Sequence, residues 1–270
     1  MSNLTVRSPN IDVAAMDMPL RWLGGDAFRT QVFNALSLSF PIGERYFIDA
    51  VRAALPLIGD AELAEDVRRF IGQEATHSHL HRVFNARLAD QGLRNRVEPA
   101  AARRIRATEG FRLTSKLAVS AAYEHFTAAF GDIVLRHSDW LDGASAPTRA
   151  LWMWHAVEEC EHRSVIFDVY RAAGGGYWRR IGWFLYVTLV FALDVAVQTV
   201  DGLYRSGDAF KAATWRQGLR FLFGRSGVAA RTIPAWLDYF RPGFSPRDRG
   251  DKEALRRWLE ENRAWFERTA

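Results

Sequence analysis

Two Glu-x-x-His pairs, Glu74-Ala75-Thr76-His77 and Glu159-Cys160-Glu161-His162, carry the clearest chemical signal in this chain. Residues three apart on a helix project from one face, so each pair can grip one metal ion. Each pair is preceded, one expected helix earlier, by a glutamate in an apolar stripe: Glu44 lies 30 residues before Glu74, and Glu124 lies 35 before Glu159. The offset between the halves is 80 for the single glutamates and 85 for both members of the pairs. Two helical hairpins related by a pseudo-two-fold axis would leave that near-repeat. Four carboxylates and two imidazoles carry about four negative charges, which are very costly to bury bare and which two divalent cations would neutralise. A lone Glu-x-x-His is commonly a solvated surface pair; two at matched offsets, each with its own glutamate, form a specific signal.

A single Glu from each of two helices plus a Glu-x-x-His from each of the other two is a known ligand set of dinuclear carboxylate proteins built on four-helix bundles. Nitrogen and oxygen donors without thiolate suit iron first, with manganese and zinc as alternatives. The neighbours leave several roles open. His81 lies about 20° from Glu74 in helical phase and reads as an extra ligand, a hydrogen-bond partner of a ligand, or a core histidine. His155 shares nearly the same face as Glu159. Glu158 stands four residues before His162, so either glutamate could bind; the offset symmetry favours Glu159 and leaves Glu158 to orient an imidazole. Thr127, one turn after Glu124, is a candidate catalytic hydroxyl, although threonine more commonly bonds its own helix. His79, His125 and His137 fall elsewhere by phase and read as surface or satisfied histidines. Cys160 reads as a small buried filler.

The elements that must position these groups are helical throughout; strand signals are weak. Residues 1–25 carry Pro9, Pro19, Gly24 and Gly25 and read as an irregular arm ending at Asp26, a plausible N-cap. A four-helix metal-binding bundle is expected over 26–173. Its first helix spans about 26–57, with a kink, or a fresh start capped by Ser39, at Pro41. The others span about 60–89, 112–137 and 147–173, the last stopped by Gly174-Gly175-Gly176. Beyond it, 174–270 comprises an apolar helix of about 176–206, Arg-rich amphipathic stretches over 209–240, and a charged terminal helix of about 252–267, packed on the bundle or on a membrane surface.

The composition, 270 residues with 49% hydrophobic and 25% charged, is that of a globular chain with a sizeable core. One cysteine excludes an internal disulfide framework and fits a reducing, cytoplasmic setting. No apolar leader is visible near the amino terminus. The formal charge of +5 is almost all arginine, Lys116, Lys211 and Lys252 being the lysines. The basic stretch from Arg216 to Arg231 alternates with Leu219, Leu222 and Phe223, which suits a surface-lying helix better than nucleic acid. Residues 181–200 are long and apolar enough to span or lie in the inner membrane, with Trp178, Trp183, Tyr186, Arg179 and Arg180 resembling an interfacial belt. Asp194 and Gln198 would be costly facing lipid. Phosphate-loop, dinucleotide and nucleophile-elbow motifs are absent.

Five blocks, Phe40-Pro41-Ile42-Gly43-Glu44-Arg45-Tyr46-Phe47, Gln73-Glu74-Ala75-Thr76-His77, Tyr123-Glu124-His125-Phe126-Thr127, Trp154-His155-Ala156-Val157-Glu158-Glu159-Cys160-Glu161-His162 and Tyr239-Phe240-Arg241-Pro242-Gly243-Phe244, carry a resemblance over about 30–260. The chain resembles the bacterial family of predicted metal-dependent hydrolases, whose pattern looks like that of ferritin-like di-iron proteins. The resemblance implies an all-α, ferritin-like four-helix bundle with additional C-terminal helices, and Glu44, Glu74, His77, Glu124, Glu159 and His162 as metal ligands. The apolar and Arg-rich segment after 174 departs from a simple ferritin-like chain.

Three functions share those six ligands. The first is O2 activation by two irons to oxidise a lipophilic small molecule, with an external electron donor; Tyr46, Phe47, Tyr123, Trp152 and Trp154 would line the pocket or pack the core. The second is hydrolysis by a metal-activated water. The third is iron storage or oxidative protection. A second copy of the chain is a further expected partner.

Overall fold

The computed structural model describes residues 4–266, and within them every regular element is helical. The first three residues of the arm and the end of the terminal helix at 267 lie outside the described residues. Helix α1 (Ala27–Ala54) starts at Asp26, whose carboxylate accepts from the Arg29 amide, and α2 (Ala61–Asp90) starts at Asp60, which accepts from the Glu62 and Leu63 amides. These caps satisfy amides that a helix start leaves unpaired. Helices α1 and α2 form one hairpin. The second is α4 (Leu113–Arg136) with α5 (Ala146–His162), and the two hairpins pack through α1·α4 and α2·α5. Gly131 lets α4 and α5 approach closely: a Cβ there would lie 2.6 Å from the Ala156 carbonyl oxygen.

Proline at 41 does not restart the first helix. Pro41 sits inside α1, and the Ser37 carbonyl that it deprives of an amide donor instead accepts from Asn85 Nδ2 at 2.9 Å. Ser39 caps nothing; its hydroxyl donates to the Leu36 carbonyl at 2.7 Å. The expected helix of 147–173 is two helices, α5 and α6 (Val165–Ala172). They part immediately after His162, where Arg163 Nε donates to the Cys160 carbonyl at 2.8 Å, the acceptor that an unbroken helix would give to residue 164. A short helix that the sequence reading did not anticipate, α3 (Val97–Ala107), packs on α1.

Helix α7 (Tyr177–Arg205) lies along α1 and α4. It is long and apolar enough to cross a membrane. Helices α8 (Ala212–Phe223), α9 (Val228–Asp238) and α10 (Lys252–Glu261) complete the chain. Residues 4–25 of the arm carry no regular element, yet Val13, Met16, Met18, Trp22 and Leu23 are buried in the core.

Two apolar clusters fill the bundle. One holds Leu36, Phe40, Phe84, Trp152 and Trp154; the other holds Phe47, Val51, Phe70, Leu117 and Ile166. Along α1, α2 and α4 the ligand candidates fall between these clusters in sequence, so the polar groups form a layer at mid-height between two dry ones.

Candidate metal centre

Glu44 on α1, Glu74 and His77 on α2, Glu124 on α4, and Glu159 and His162 on α5 are all buried in that layer. Donor atoms of Glu74, His77, Glu159 and His162 lie within 4.8 Å of one another, and so do those of Glu44, His77 and His155. Two adjacent groupings that share His77 are a geometry for two neighbouring ions. Eight buried atoms of the six residues have no hydrogen-bond partner: both oxygens of Glu44 and of Glu74, Oε2 of Glu124 and of Glu159, Nδ1 of His77 and Nε2 of His162. Unpaired buried carboxylates are expensive, and convergent ones more so. The donor set therefore fits divalent cations, which would satisfy these atoms together.

Each imidazole is turned to offer one nitrogen. His77 Nε2 donates to Glu158 Oε2 at 3.0 Å, leaving Nδ1 free at 3.4 Å from Glu159 Oε1. His162 Nδ1 donates to Glu124 Oε1 at 2.6 Å, leaving Nε2 free at 3.2 Å from Glu74 Oε1. Glu158 thus holds the His77 ring through its hydrogen bond. Glu124 does the same for His162 through one oxygen and keeps the other unpaired.

His81 and His155 form a directed relay. The Ser37 hydroxyl gives its single proton to Asn85 Oδ1 at 2.7 Å, so Ser37 accepts from His81 Nδ1 at 2.8 Å. Burial, and then the charges of neighbouring histidines, hold His81 well below its ordinary range, so its Nε2 accepts from His155 Nδ1 at 2.8 Å. Burial, and then His77, pull His155 down to about 4. His155 Nε2 lies 3.1 Å from Glu159 Oε1. His155, grouped with Glu44 and His77, is a candidate donor to the site, and His81 is its hydrogen-bond partner.

The charge balance points the same way. Burial pushes Glu44 up to about 8 and Glu124 up to about 7, partly offset by His77 and His162 respectively, and burial reinforced by Glu159 raises Glu74 well above the carboxylate range. Glu159 is held well below that range: burial raises it, but His162, His155 and His77 together prevail. Burial likewise pulls His77 down, while Glu158, Glu159 and Glu74 outweigh it and raise that imidazole. Protons thus occupy sites that cations would take.

An apolar pocket of about 100 Å³ reaches this layer. Its inner end is lined by Glu44, Glu159 and Thr127, its waist by Phe47, Val119 and Tyr123, and its outer wall by α3 and α7. Thr127 lines this space, and its hydroxyl donates to the Glu124 carbonyl at 3.1 Å, bonding its own helix. Tyr46, Phe47 and Tyr123 line this space, whereas Trp152 and Trp154 pack in the core. His125, expected to be satisfied elsewhere, contacts the Ala235 carbonyl at 3.0 Å; His79 and His137 are exposed.

Arg7 was not among the expected site residues. From the arm it donates to Glu158 at 3.3 Å and to Glu161 at 2.6 and 2.9 Å, fixing the carboxylate that orients His77. No spacing rule joins residues 151 apart, so nothing in the sequence marked it. The pocket's outer wall was missed with α3.

A family profile described as a predicted metal-dependent hydrolase matches residues 5–250. No curated protein and no solved structure matches the chain.

Proposed function

The chain belongs to the family described as predicted metal-dependent hydrolases, and on that premise we propose that it is an enzyme whose dinuclear, ferritin-like centre transforms a lipophilic small molecule. The observation that carries this reading is the convergence of eight unpaired donor atoms in one buried layer that an apolar pocket reaches at Glu44 and Glu159. Glu44, Glu74, His77, Glu124, Glu159 and His162 would hold two divalent ions, with His155 as a seventh donor. When bound, iron would supply the electrons and open positions for reducing O2, whereas a redox-inert ion would supply a Lewis acid that acidifies water.

The chain's own residues do the rest. Phe40, Phe47 and Tyr123 exclude water and seat an apolar group against Glu44 and Glu159. Glu158, held by Arg7, keeps the His77 ring turned with Nδ1 inward. Two readings divide on the pocket and the family. The charged groups of its outer wall, Arg104 and Asp194, are paired to each other and present no separate anchor for a charged ester or phosphate, which favours O2-dependent oxidation by iron. The family's description favours hydrolysis. Elemental analysis of protein purified without added metal, with absorption spectra before and after reduction and exposure to O2, decides between them. Two irons per chain with an O2-sensitive spectrum support oxidation and direct the search to an electron donor. Two zinc or manganese ions without an O2 response support hydrolysis. Protein without metal refutes both.

A further inference from the structure

The outer surface of α7–α9 is built the opposite way from the metal layer. Leu185, Leu189, Leu193, Val197, Val200 and Tyr204 recur at three- and four-residue steps along α7, and each is 47–70% exposed. They form one stripe about 28 Å long. The opposite face of α7, with Phe184, Val187 and Leu203, is buried. At the end of the stripe Tyr204 meets Phe210 with ring centroids 6.2 Å apart, and Trp215, Leu219 and Phe223 on α8 with Ile233 and Leu237 on α9 are exposed as well. So many large exposed apolar side chains on three helices exceed what a monomer scatters singly over its surface.

The charges around this surface say what covers it. No acidic residue occurs between Asp208 and Asp238, while that interval holds Lys211, Arg216, Arg220, Arg225 and Arg231. Lys211 is paired to Asp208 and Arg231 to Asp139; Arg216 and Arg220, exposed between the apolar residues of α8, have no ion-pair partner among the described residues, nor has Arg225. Apolar and cationic groups interleaved on one face match a bilayer with anionic headgroups. A second copy of the chain would bring the same unpaired arginines against themselves.

We infer that this face seats the protein in the plane of an anionic membrane and that the pocket draws its lipophilic substrate from the bilayer. A spanning arrangement is disfavoured because α7 is ion-paired to α3 through Arg104–Asp194 and to the residue just before α3 through Arg96–Asp201, and crossing would carry those pairs into hydrocarbon. Tyr186 joins the two features: it is 45% exposed beside the stripe and lines the pocket that ends on Glu44 and Glu159. The docking half stands without any metal, and the delivery half rests on the function proposed above.

The test is flotation of the full chain with phosphatidylcholine vesicles, with and without phosphatidylglycerol. Binding is expected with phosphatidylglycerol and should weaken with salt. Arg216→Gln, Arg220→Gln and Arg225→Gln together should lower partitioning by about a hundredfold, and Leu189→Asp with Leu193→Asp by at least about tenfold. No binding, equal binding to both vesicle types, or binding indifferent to both variants overturns docking. So does a dimer that the leucine variant dissociates while vesicles stay unbound, since the face is then a contact between copies. Delivery is read with nitroxide-labelled stearic acid, whose spectrum should show immobilisation on the wild type. Ala101→Trp, and on the next turn Ile105→Trp, should abolish that signal while still floating; immobilisation undiminished in both overturns delivery. Each readout is repeated after chelation, so a failure of the metal reading leaves these results distinct from it.

Discussion

The middle of the bundle and the outside of α7–α9 reverse the ordinary arrangement of a folded chain in complementary ways. The first gathers four carboxylates and three imidazoles in a dry layer between two apolar clusters. The second exposes leucines, valines and aromatic rings to the outside. Each would cost stability or solubility in isolation. On the readings proposed above, each acquires its sense from something the chain does not encode: cations for the interior, a bilayer for the face. Between them runs the pocket, with Glu44 and Glu159 at one end and Tyr186 at the other. Function here is best located where the folding rules are broken, because those departures persist only when a partner compensates them.

The interior half of the comparison breaks most sharply at the ligands. Glu74→Ala and His77→Ala should each remove at least one ion per chain and lower metal affinity by more than the roughly 10–100-fold lost with an orienting partner, measured by elemental analysis after dialysis. The same residues should oppose stability when metal is removed. Glu44→Leu is therefore expected to raise the Tm of chelated protein, since it deletes a buried and unpaired acid, while abolishing the gain in Tm on adding metal. A lower Tm in the chelated variant would show that Glu44 is structurally satisfied without cations.

A pH series sharpens the same point. The folded-state values of Glu44 and Glu124 are raised to about 8 and about 7 from an ordinary 4.5. Raised carboxyl groups contribute stability that is fully present below the unfolded value and lost as pH climbs through the folded one. Chelated protein should therefore lose Tm progressively from about pH 4.5 up to about 7 for Glu124 and about 8 for Glu44. Metal binding displaces the protons, so the stabilisation by metal should grow over the same window, reaching about 2.7 kcal/mol at 100 times Kd. Scanning calorimetry of both forms checks it; a metal increment that shrinks with pH would contradict the displacement.

How far the sequence discloses this arrangement depends on whether a feature is periodic. Glu74 with His77 and Glu159 with His162 are legible because helix geometry fixes which residues share a face, and the helices bearing them are legible for the same reason. The break after His162 is not, because Arg163 makes it by reaching back to the Cys160 carbonyl, an interaction with no periodic trace. Pro41 misleads in the other direction: its backbone penalty is local, whereas Asn85, which meets the freed carbonyl, arrives from the next helix. The roles of His81 and His155 stay open in sequence because they depend on proton direction, which begins at Ser37 and Asn85. Arg7 and the α3 wall of the pocket are tertiary facts altogether.

Arg7 offers the next smaller effect. Arg7→Ala frees Glu158 without touching a donor atom, so metal affinity should fall by about tenfold, the lower end for an orienting partner. Arg7→Lys, which restores charge but not the two-oxygen contact with Glu161, should recover only part of it. Competition with a chromophoric chelator measures both. Equal affinity in all three proteins would mean that Glu158 holds His77 unaided.

The smallest effect belongs to the outer face, and its smallness is the point. Leu189 is 70% exposed and Leu193 60%, so neither contributes much to the packed core. Leu189→Asp and Leu193→Asp should each change unfolding free energy by no more than about 0.5 kcal/mol and leave the metal content intact. Urea melts with metal analysis test this in the absence of lipid. Residues that the fold does not need, in a row that water does not favour, are explained by what they meet outside the chain. A large loss of stability in either variant would show instead that the stripe is held by an intramolecular contact, and the contrast between the two regions would collapse into ordinary core packing.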